Sequence, residues 1–381
     1  MAIPLSYNLR NLTARRTTTI MTALGIALTV AVLLSVMALA EGLRTSLEAS
    51  GNPLHLMVMR VGATAELNSM VNNEIYQTVK VKPGVAAASL ELVTVIVLES
   101  PEAPSGINIS VRGLSPDGLR LRDGSRIAEG RMFEPGKREV VVGKGIANKY
   151  PMARLGSKMP FGRGDWEVVG VLDAGRSVAN SEIFCDLGQL SADQNRQDAL
   201  SAVLVRATDE SAMQALINDL KDDRRLKMTT MREKDYHAQQ TQSAAPIRVV
   251  GVFVSVIMAV GSCFAAMNTM YATVARRSAE IGTLRVLGFS RRGIMASFLI
   301  ESLILSLIGG ALGCLLVLPL NNVSTGIGSF VTFSEITFDF QVTPQLMAMG
   351  IGFALLLGAI GGLFPAFSAA RKQILTALRQ V

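Results

Sequence analysis

The sequence predicts a membrane protein of four transmembrane α-helices, with a large α+β domain inserted between the first and the second. Three observations carry this. Of the 381 residues, 49% are hydrophobic and only 18% charged, a balance unlike that of a single soluble domain, where about 25% are charged. Four mostly apolar runs, at 17–40, 247–271, 293–320 and 344–370, each exceed the roughly 18 residues that cross a bilayer core, and their only charges are Arg248 and Glu301. Between the first two runs lies a long polar region with short β-branched segments, the pattern of a folded domain rather than a loop.

The first element, segment 1–16, carries Arg10, Arg15 and Arg16 and is expected in the cytoplasm. The span and stalk at 17–50 follow. "ALAE" offers a small-x-small cleavage pattern at Ala38 and Ala40, but the apolar stretch is longer than the about 7–15 residues of a signal h-region, so an uncleaved anchor is expected. "EGLRTSLEAS" continues the helix until Gly51, Asn52 and Pro53 end it.

The outer domain occupies 51–231. "VTVIVLE", "INISVRGL", "REVVVG" and "WEVVGVL" read as strands, and "NEIYQTVK" and "SAMQALINDLKDD" as helices, with a strand-rich insertion at about 112–195. Cys185 is its one cysteine, because Cys263 and Cys314 fall in spans, so no intrachain disulfide is available to it. His55 and His237, the only histidines, lie far apart in sequence, which encourages neither a zinc site nor a histidine-based triad. Trp166, Met57, Met59 and Met70 read as packing residues, and Asp222-Asp223 as a solvated face.

A polar stalk, "MREKDYHAQQTQSAAP", leads into the second span, the two together covering 232–271. A connecting segment at 272–292 precedes the third span at 293–320, a short outer loop at 321–343, the fourth span at 344–370 and a tail at 371–381. Basic residues in short segments are retained on the cytoplasmic side. Arg276, Arg277, Arg285, Arg291 and Arg292 mark the connecting segment, and Arg371, Lys372 and Arg379 the tail. The 321–343 loop has Glu335 and Asp339 but no basic residue, which places it outside with the large domain. The net charge of +7 is then topology signal and anionic-lipid contact rather than nucleic-acid binding.

Within the connecting segment, Ile281, Leu284 and Leu287 recur at three-residue spacing, a narrow apolar stripe on a short helix. Arg276 and Glu280 are four apart and can pair, Gly288 is placed to end the helix in the left-handed conformation, and Ser290 to cap the next. Gly309 and Gly313, and Gly358 and Gly362, have the small-x-x-x-small spacing of closely packed membrane helices, with Pro365 beyond them. Glu301, inside an apolar run, calls for a cationic partner such as Arg292.

The string "RRSAEIGTLRVLGFSRRGIMASFLIESLILSLIGGALG" resembles the signature of the FtsX-like permeases of ABC transporters, the superfamily that includes MacB and LolC/LolE. "GAIGGLFPAFSAARKQILTALRQV" is similar to the closing span and tail of that family, departing from it at Phe367-Ser368 and at 374–376. "VRGLSPDGLRLRDGSRIAEGRMFEPGKREVVVGKGIAN" with "DWEVVGVLD" resembles its periplasmic domain. The resemblance spans almost the whole chain and implies a MacB-like periplasmic domain, a bacterial inner-membrane location and a dimer built mainly by the first two spans.

The resemblance also implies a role for the connecting segment: a coupling helix seated in a groove of a cytoplasmic ATPase, with Arg276, Arg277, Glu280, Ile281, Gly282, Leu284, Arg285, Leu287 and Gly288 at the contact. No G-x-x-x-x-G-K-[ST] phosphate loop occurs, since "EPGKRE" and "VVGKGI" lack its glycines and its Ser/Thr. No cofactor is therefore expected in this chain. ATP and Mg belong to a separate ATPase, two copies of it with two permease chains, identical or not. A periplasmic adaptor or outer-membrane partner and export of a lipid, lipoprotein, peptide or other amphiphile by mechanotransmission are the implied setting. Two alternatives differ in kind: a regulator of a periplasmic cell-wall hydrolase, and a transmembrane receptor. The receptor needs a long cytoplasmic signalling segment after the second span, where only the short connecting segment occurs.

Overall fold

The computed structural model describes the chain apart from residues 1–15, 101–102, 224–225, 243–244, 329–331 and 372–381. Arg10, Arg15, Lys372, Arg379 and the tail positions 374–376 lie outside the described residues.

In chain order, α1 (Arg16–Glu48) is followed by β1 (His55–Arg60), α2 (Asn73–Lys80) and the long strands β2 (Val85–Ser100) and β3 (Ala103–Leu114). Next come β4 (Arg126–Gly130), β5 (Glu139–Gly143), α3 (Lys144–Lys149), β6 (Lys158–Phe161), β7 (Gly164–Asp173), β8 (Glu182–Asp186) and α4 (Leu187–Asp193). The outer sequence closes with β9 (Ala202–Ala207), α5 (Glu210–Asp222), β10 (Met228–Arg232) and α6 (Glu233–Gln242). The remainder is α7 (Ala245–Arg276), α8 (Ser278–Val286), α9 (Arg291–Val317), a hairpin of β11 (Ser324–Gly328) and β12 (Glu335–Asp339), and α10 (Pro344–Arg371). Two units result: Met1–Glu41 with Pro246–Val323 and Phe340–Val381, and Gly42–Ala245 with Ser324–Asp339.

Among the described residues, the first unit contains four helices long and apolar enough to cross a membrane. With the α+β domain inserted between the first and second of them, this is the predicted fold class. α9 and α10 pack through small residues. A Cβ on Gly358 would fall 2.2 Å from Ser306 Oγ, and one on Gly362 2.5 Å from Ser302. On its other face α9 meets α1, where a Cβ on Gly309 or Gly313 would come within 2.9 or 2.7 Å of the Ala23 and Ala27 carbonyl oxygens. Lipid supplies no hydrophobic drive for helix association, so this close van der Waals approach must hold the bundle. The pattern missed Gly251 against Val36, Gly310 against Ala354 and Gly361 against Ala266. α7 is the least covered span, with Val250, Phe253, Ile257, Val260 and Phe264 all exposed.

The second unit is built on one sheet in the order β10-β1-β9-β2-β3-β8-β5-β7-β4, with β6 on β7. β3/β8 and β5/β7 are parallel and the other pairs antiparallel. The strands between residues 126 and 186 extend the same sheet as β1, β2 and β9. Central strands are covered on both faces, so β1, β8 and β9 read as short apolar runs without alternation, which is why the sequence pattern passed over them. Asn72 caps α2 by accepting from the Ile75 amide (3.0 Å), and Asp209 caps α5 by accepting from Ala212 (2.9 Å). Trp166, the one tryptophan, is fully buried, stacks on Phe161 at 4.9 Å and donates its indole N–H to the Phe161 carbonyl (3.2 Å). Met57 and Met59 are buried and Met70 is half exposed.

The segment read as a short outer loop contains the β11–β12 hairpin, whose Ile336 and Phe338 are buried. The Ser181 hydroxyl accepts from the Thr337 amide (2.7 Å) and donates to its carbonyl (3.0 Å), while Glu335 pairs with Lys149 and accepts from Tyr150 (3.2 Å). A two-strand hairpin is marginal alone. Here the second unit supplies its packing.

At the turn before β5, Gly130 has φ +73°, and a Cβ there would collide with the Val169 carbonyl oxygen at 2.2 Å. Arg131 then chelates Glu139 through both terminal nitrogens (2.7 Å each), and the Glu134 amide donates to the same carboxylate (2.9 Å). The Arg131 hydrogen bonds, more than any other influence, hold Glu139 down at a pKa of about 2, against an ordinary 4.5. A depressed carboxyl stabilises the fold above its unfolded value and loses that contribution as pH falls from about 4.5 to about 2. Acid unfolding of the full chain, followed by Trp166 fluorescence, should steepen in that window, and Glu139→Gln should flatten it; an unchanged acid limb in the variant would show that the clamp adds nothing to stability.

Candidate functional site

The connecting segment is built around one buried arginine. α7 ends at Arg276 and α8 starts at Ser278; Arg277 lies between them with φ −100° and ψ 19°. Its side chain, 5% exposed, points into the first unit, where Nη1 donates to Glu301 Oε2 (3.0 Å), Nε donates to Glu280 Oε2 (3.0 Å) and the guanidinium lies over Phe298, 5.0 Å from the ring centroid. The expected pairings are thus redrawn. Glu301 pairs with Arg277 rather than Arg292, which is exposed, and Glu280 pairs with Arg277 while Arg276 points to the surface. The physical reason is depth: Glu301 is 8% exposed, and an arginine reaching in from the α7–α8 junction meets it there.

The apolar stripe of α8 divides in two. Ile281 is buried among Met270, Val274, Ile294, Phe298, Ala366 and Ala369, with Ser278 and Gly282 also buried. Leu284 and Arg285 are half-buried, whereas Val286 and Leu287 are 63% and 67% exposed. The sequence reading omitted Val286. The helix stops in a Schellman motif: Gly288, φ +92°, donates to the Arg285 carbonyl (3.2 Å) and Phe289 to that of Leu284 (3.1 Å). The Ser290 hydroxyl then accepts from the Gly293 amide (3.1 Å) and starts α9. α8 is therefore fixed at both ends and presents two large apolar side chains beside exposed Arg276, Glu280 and Gly288. Pro365 is buried within α10.

The second unit holds a charge cluster that the sequence did not reveal. Glu66, Glu91 and Glu182 converge on Arg112 and Arg122, from segments far apart in the chain. The available signal was a charge inside an otherwise β-branched strand, Glu91 in β2 and Arg112 in β3. The two histidines, distant in sequence, reach one carboxylate, because β10 pairs with β1 and leads directly into α6. His55 Nε2 accepts from Arg206 (3.0 Å), so Nδ1 carries the proton and donates to Glu233 (2.8 Å), while His237 Nε2 is 4.0 Å from the other oxygen of Glu233. Among the described residues no group of three or more His, Cys, Asp or Glu is placed to hold a metal ion.

Four helices of membrane-spanning length, an α+β domain inserted between the first two and a short anchored helix between the second and third make up the described architecture. The MacB-like periplasmic core domain model matches residues 19–223 and the FtsX-like permease C-terminal model residues 252–374. The chain belongs to this family and is an ABC transporter permease of the MacB/FtsX type. It is 24% identical over 403 aligned positions to an uncharacterized ABC transporter permease, YknZ of Bacillus subtilis, covering 97% of each chain. It is also 24% identical over 407 positions to the macrolide export ATP-binding/permease protein MacB of Hahella chejuensis, covering 96% of this chain but only 58% of that protein. Among solved structures, the periplasmic region of MacB from Actinobacillus actinomycetemcomitans aligns with a TM-score of 0.40 at 11% identity, over 52% of this chain and 96% of that one.

Two outcomes are expected of the membrane unit. Arg277→Ala removes the guanidinium that faces the buried Glu301 carboxylate and should cost about 3–5 kcal/mol, whereas Arg277→Met with Glu301→Leu should recover most of that loss; unfolding of detergent-solubilised protein measures both. Gly313→Leu should destabilise by about 1–3 kcal/mol through overpacking, while Gly352→Leu, with nothing within 4 Å of the new Cβ, should be neutral or better.

Proposed function

We propose that this chain is the membrane subunit of an ATP-driven exporter and that α8 is the element on which a separate cytoplasmic ATPase acts. The observation that carries this is the division of α8: Arg277 and Ile281 lock it into the membrane unit while Val286 and Leu287 stand exposed. A helix so held passes a push on its outer face to α7 and α9 rather than absorbing it. ATP and Mg are bound by that partner, two copies serving two permease chains, and the catalytic work on ATP is done there.

The basic side chains around α8, against the hairpin segment's lack of any, favour a cytoplasmic α8 and cytoplasmic termini, with the inserted domain on the other side of the membrane. The exposed apolar face of α7 supports a role in pairing with a second permease chain. Motion of the spans is then transmitted to the inserted domain, and a lipid, lipoprotein, peptide or other amphiphile is the cargo. The word "export" in the name of the MacB relative supports the direction.

The test is a pull-down of tagged full-length chain from native membranes with an ATPase assay. Wild type should bring down an ABC ATPase. Val286→Asp with Leu287→Asp should lose it without lowering the thermal unfolding midpoint, and Glu280→Ala with Leu284→Ala should weaken stimulation of hydrolysis. No ATPase with the wild type, or full coupling in both double variants, would overturn the proposal; a cell-wall hydrolase recovered with unstimulated ATPase would replace export with regulation.

A further inference from the structure

The second unit contains a cavity of about 290 Å³ that no part of the transport reading uses. It lies beside the chain that follows α1 and is lined by Glu233, Tyr236 and His237 of α6 together with residues of β1, β2, β3, β8 and β9. Its size falls just below the roughly 300–1,000 Å³ usual for small-molecule sites, which limits the ligand to a small one.

Charge is its first property. Arg112 donates five bonds: Nε and Nη2 to Glu182 (3.0 and 2.8 Å), Nη2 also to Glu66 (2.9 Å), and Nη1 to Glu66 and to Glu91 (2.8 Å). Arg122 chelates Glu91 (2.9 Å twice) and donates to the Gly118 carbonyl (3.0 Å). Three carboxylates thus face two guanidinium groups, leaving one negative charge in excess. Glu233 and Asp123 line the same cavity, and of these Asp123 is neutralised by Arg206 (2.7 Å). Burial raises the Glu66 carboxyl above its ordinary range despite Arg112, which works against that excess, while burial lowers the His237 imidazole, so His237 does not neutralise Glu233 at neutral pH. Glu66 and Glu182 each accept only two bonds of the roughly four a carboxylate can take. Unneutralised charge is costly to bury, so a cation entering here is favoured.

Two further features shape the partner of that charge. The Tyr236 hydroxyl, in a side chain only 3% exposed, accepts a long 3.4 Å bond from the Glu66 amide and donates its proton to no described residue. Met57, Leu121 and Leu204 supply an apolar wall.

We propose that this cavity binds a small organic amine, its ammonium against Glu182 and Glu233, an oxygen acceptor toward Tyr236, and an apolar body against Met57, Leu121 and Leu204. The inference does not rest on the transport reading and is read out by binding alone.

Calorimetric titration of the full chain in detergent at pH 7.5 compares three probes. Leucinamide carries all three features, N-acetyl-leucinamide lacks the charge, and isopentylamine lacks the acceptor. Leucinamide should bind saturably, with N-acetyl-leucinamide weaker by about tenfold or more and isopentylamine between them. Glu233→Gln should weaken leucinamide by about tenfold. Tyr236→Phe, which keeps the ring and its packing, should abolish the preference for leucinamide over isopentylamine. The proposal fails if wild type shows no saturable binding of leucinamide, if the acetylated probe binds equally well, or if both variants bind leucinamide as wild type does.

Discussion

Glu301 sits in an apolar helix, where an isolated carboxylate costs several kcal/mol, and the membrane unit is arranged around relieving that cost. Arg277 meets it at 3.0 Å, and to do so it must lie at the junction of α7 and α8 with its side chain turned inward. That requirement fixes the start of α8. The Schellman turn at Gly288 fixes its end, and the segment between has one face in the bundle and one outside. One ion pair thereby ties the second span to the third and aims the element between them. Arginine suits the place better than lysine, because its planar fork binds Glu301 and Glu280 together while stacking on Phe298.

The outer unit solves a related problem with more charges. Its long sheet needs β2 and β3 at the centre, yet each carries an ionised residue at a buried position, Glu91 and Arg112. These neutralise one another and recruit Glu66, Glu182 and Arg122, so segments remote in sequence are tied at one point. Such networks are weak contributors to stability compared with apolar packing, and retaining one suggests specificity or a ligand as its use. The surrounding core, with Trp166 stacked on Phe161 and valines throughout β5 and β7, supplies the burial that holds the domain without a disulfide.

The four spans were legible because bilayer thickness dictates the length of an apolar run whatever its neighbours are. The helix end at Gly288 and the cap at Ser290 were legible because both are local backbone chemistry, decided within four residues. The strands of β5 and β7 were visible as valine runs. Central strands β1, β8 and β9 were not, since burial on both faces erases the period of two, and the β11–β12 hairpin gave no signal because its stability comes from Ser181, Lys149 and Tyr150. Pairing was where sequence reasoning failed. It matched Glu280 to Arg276 and Glu301 to Arg292 by spacing, and set His55 apart from His237 by distance along the chain.

By itself, then, the sequence determined the number of spans, the inserted α+β domain, the termination of α8 and the resemblance to a permease family, all properties of composition, local chemistry or contiguous motif. Only the tertiary structure decided that Arg277 turns inward, that Val286 and Leu287 remain outside, that two histidines share Glu233, and that three glutamates and two arginines border one cavity. The physical reason is range. Helix length and capping depend on a few neighbouring residues, whereas the partner of a buried charge is chosen by which distant segment folding brings within about 3 Å of it, and no spacing along the chain encodes that distance.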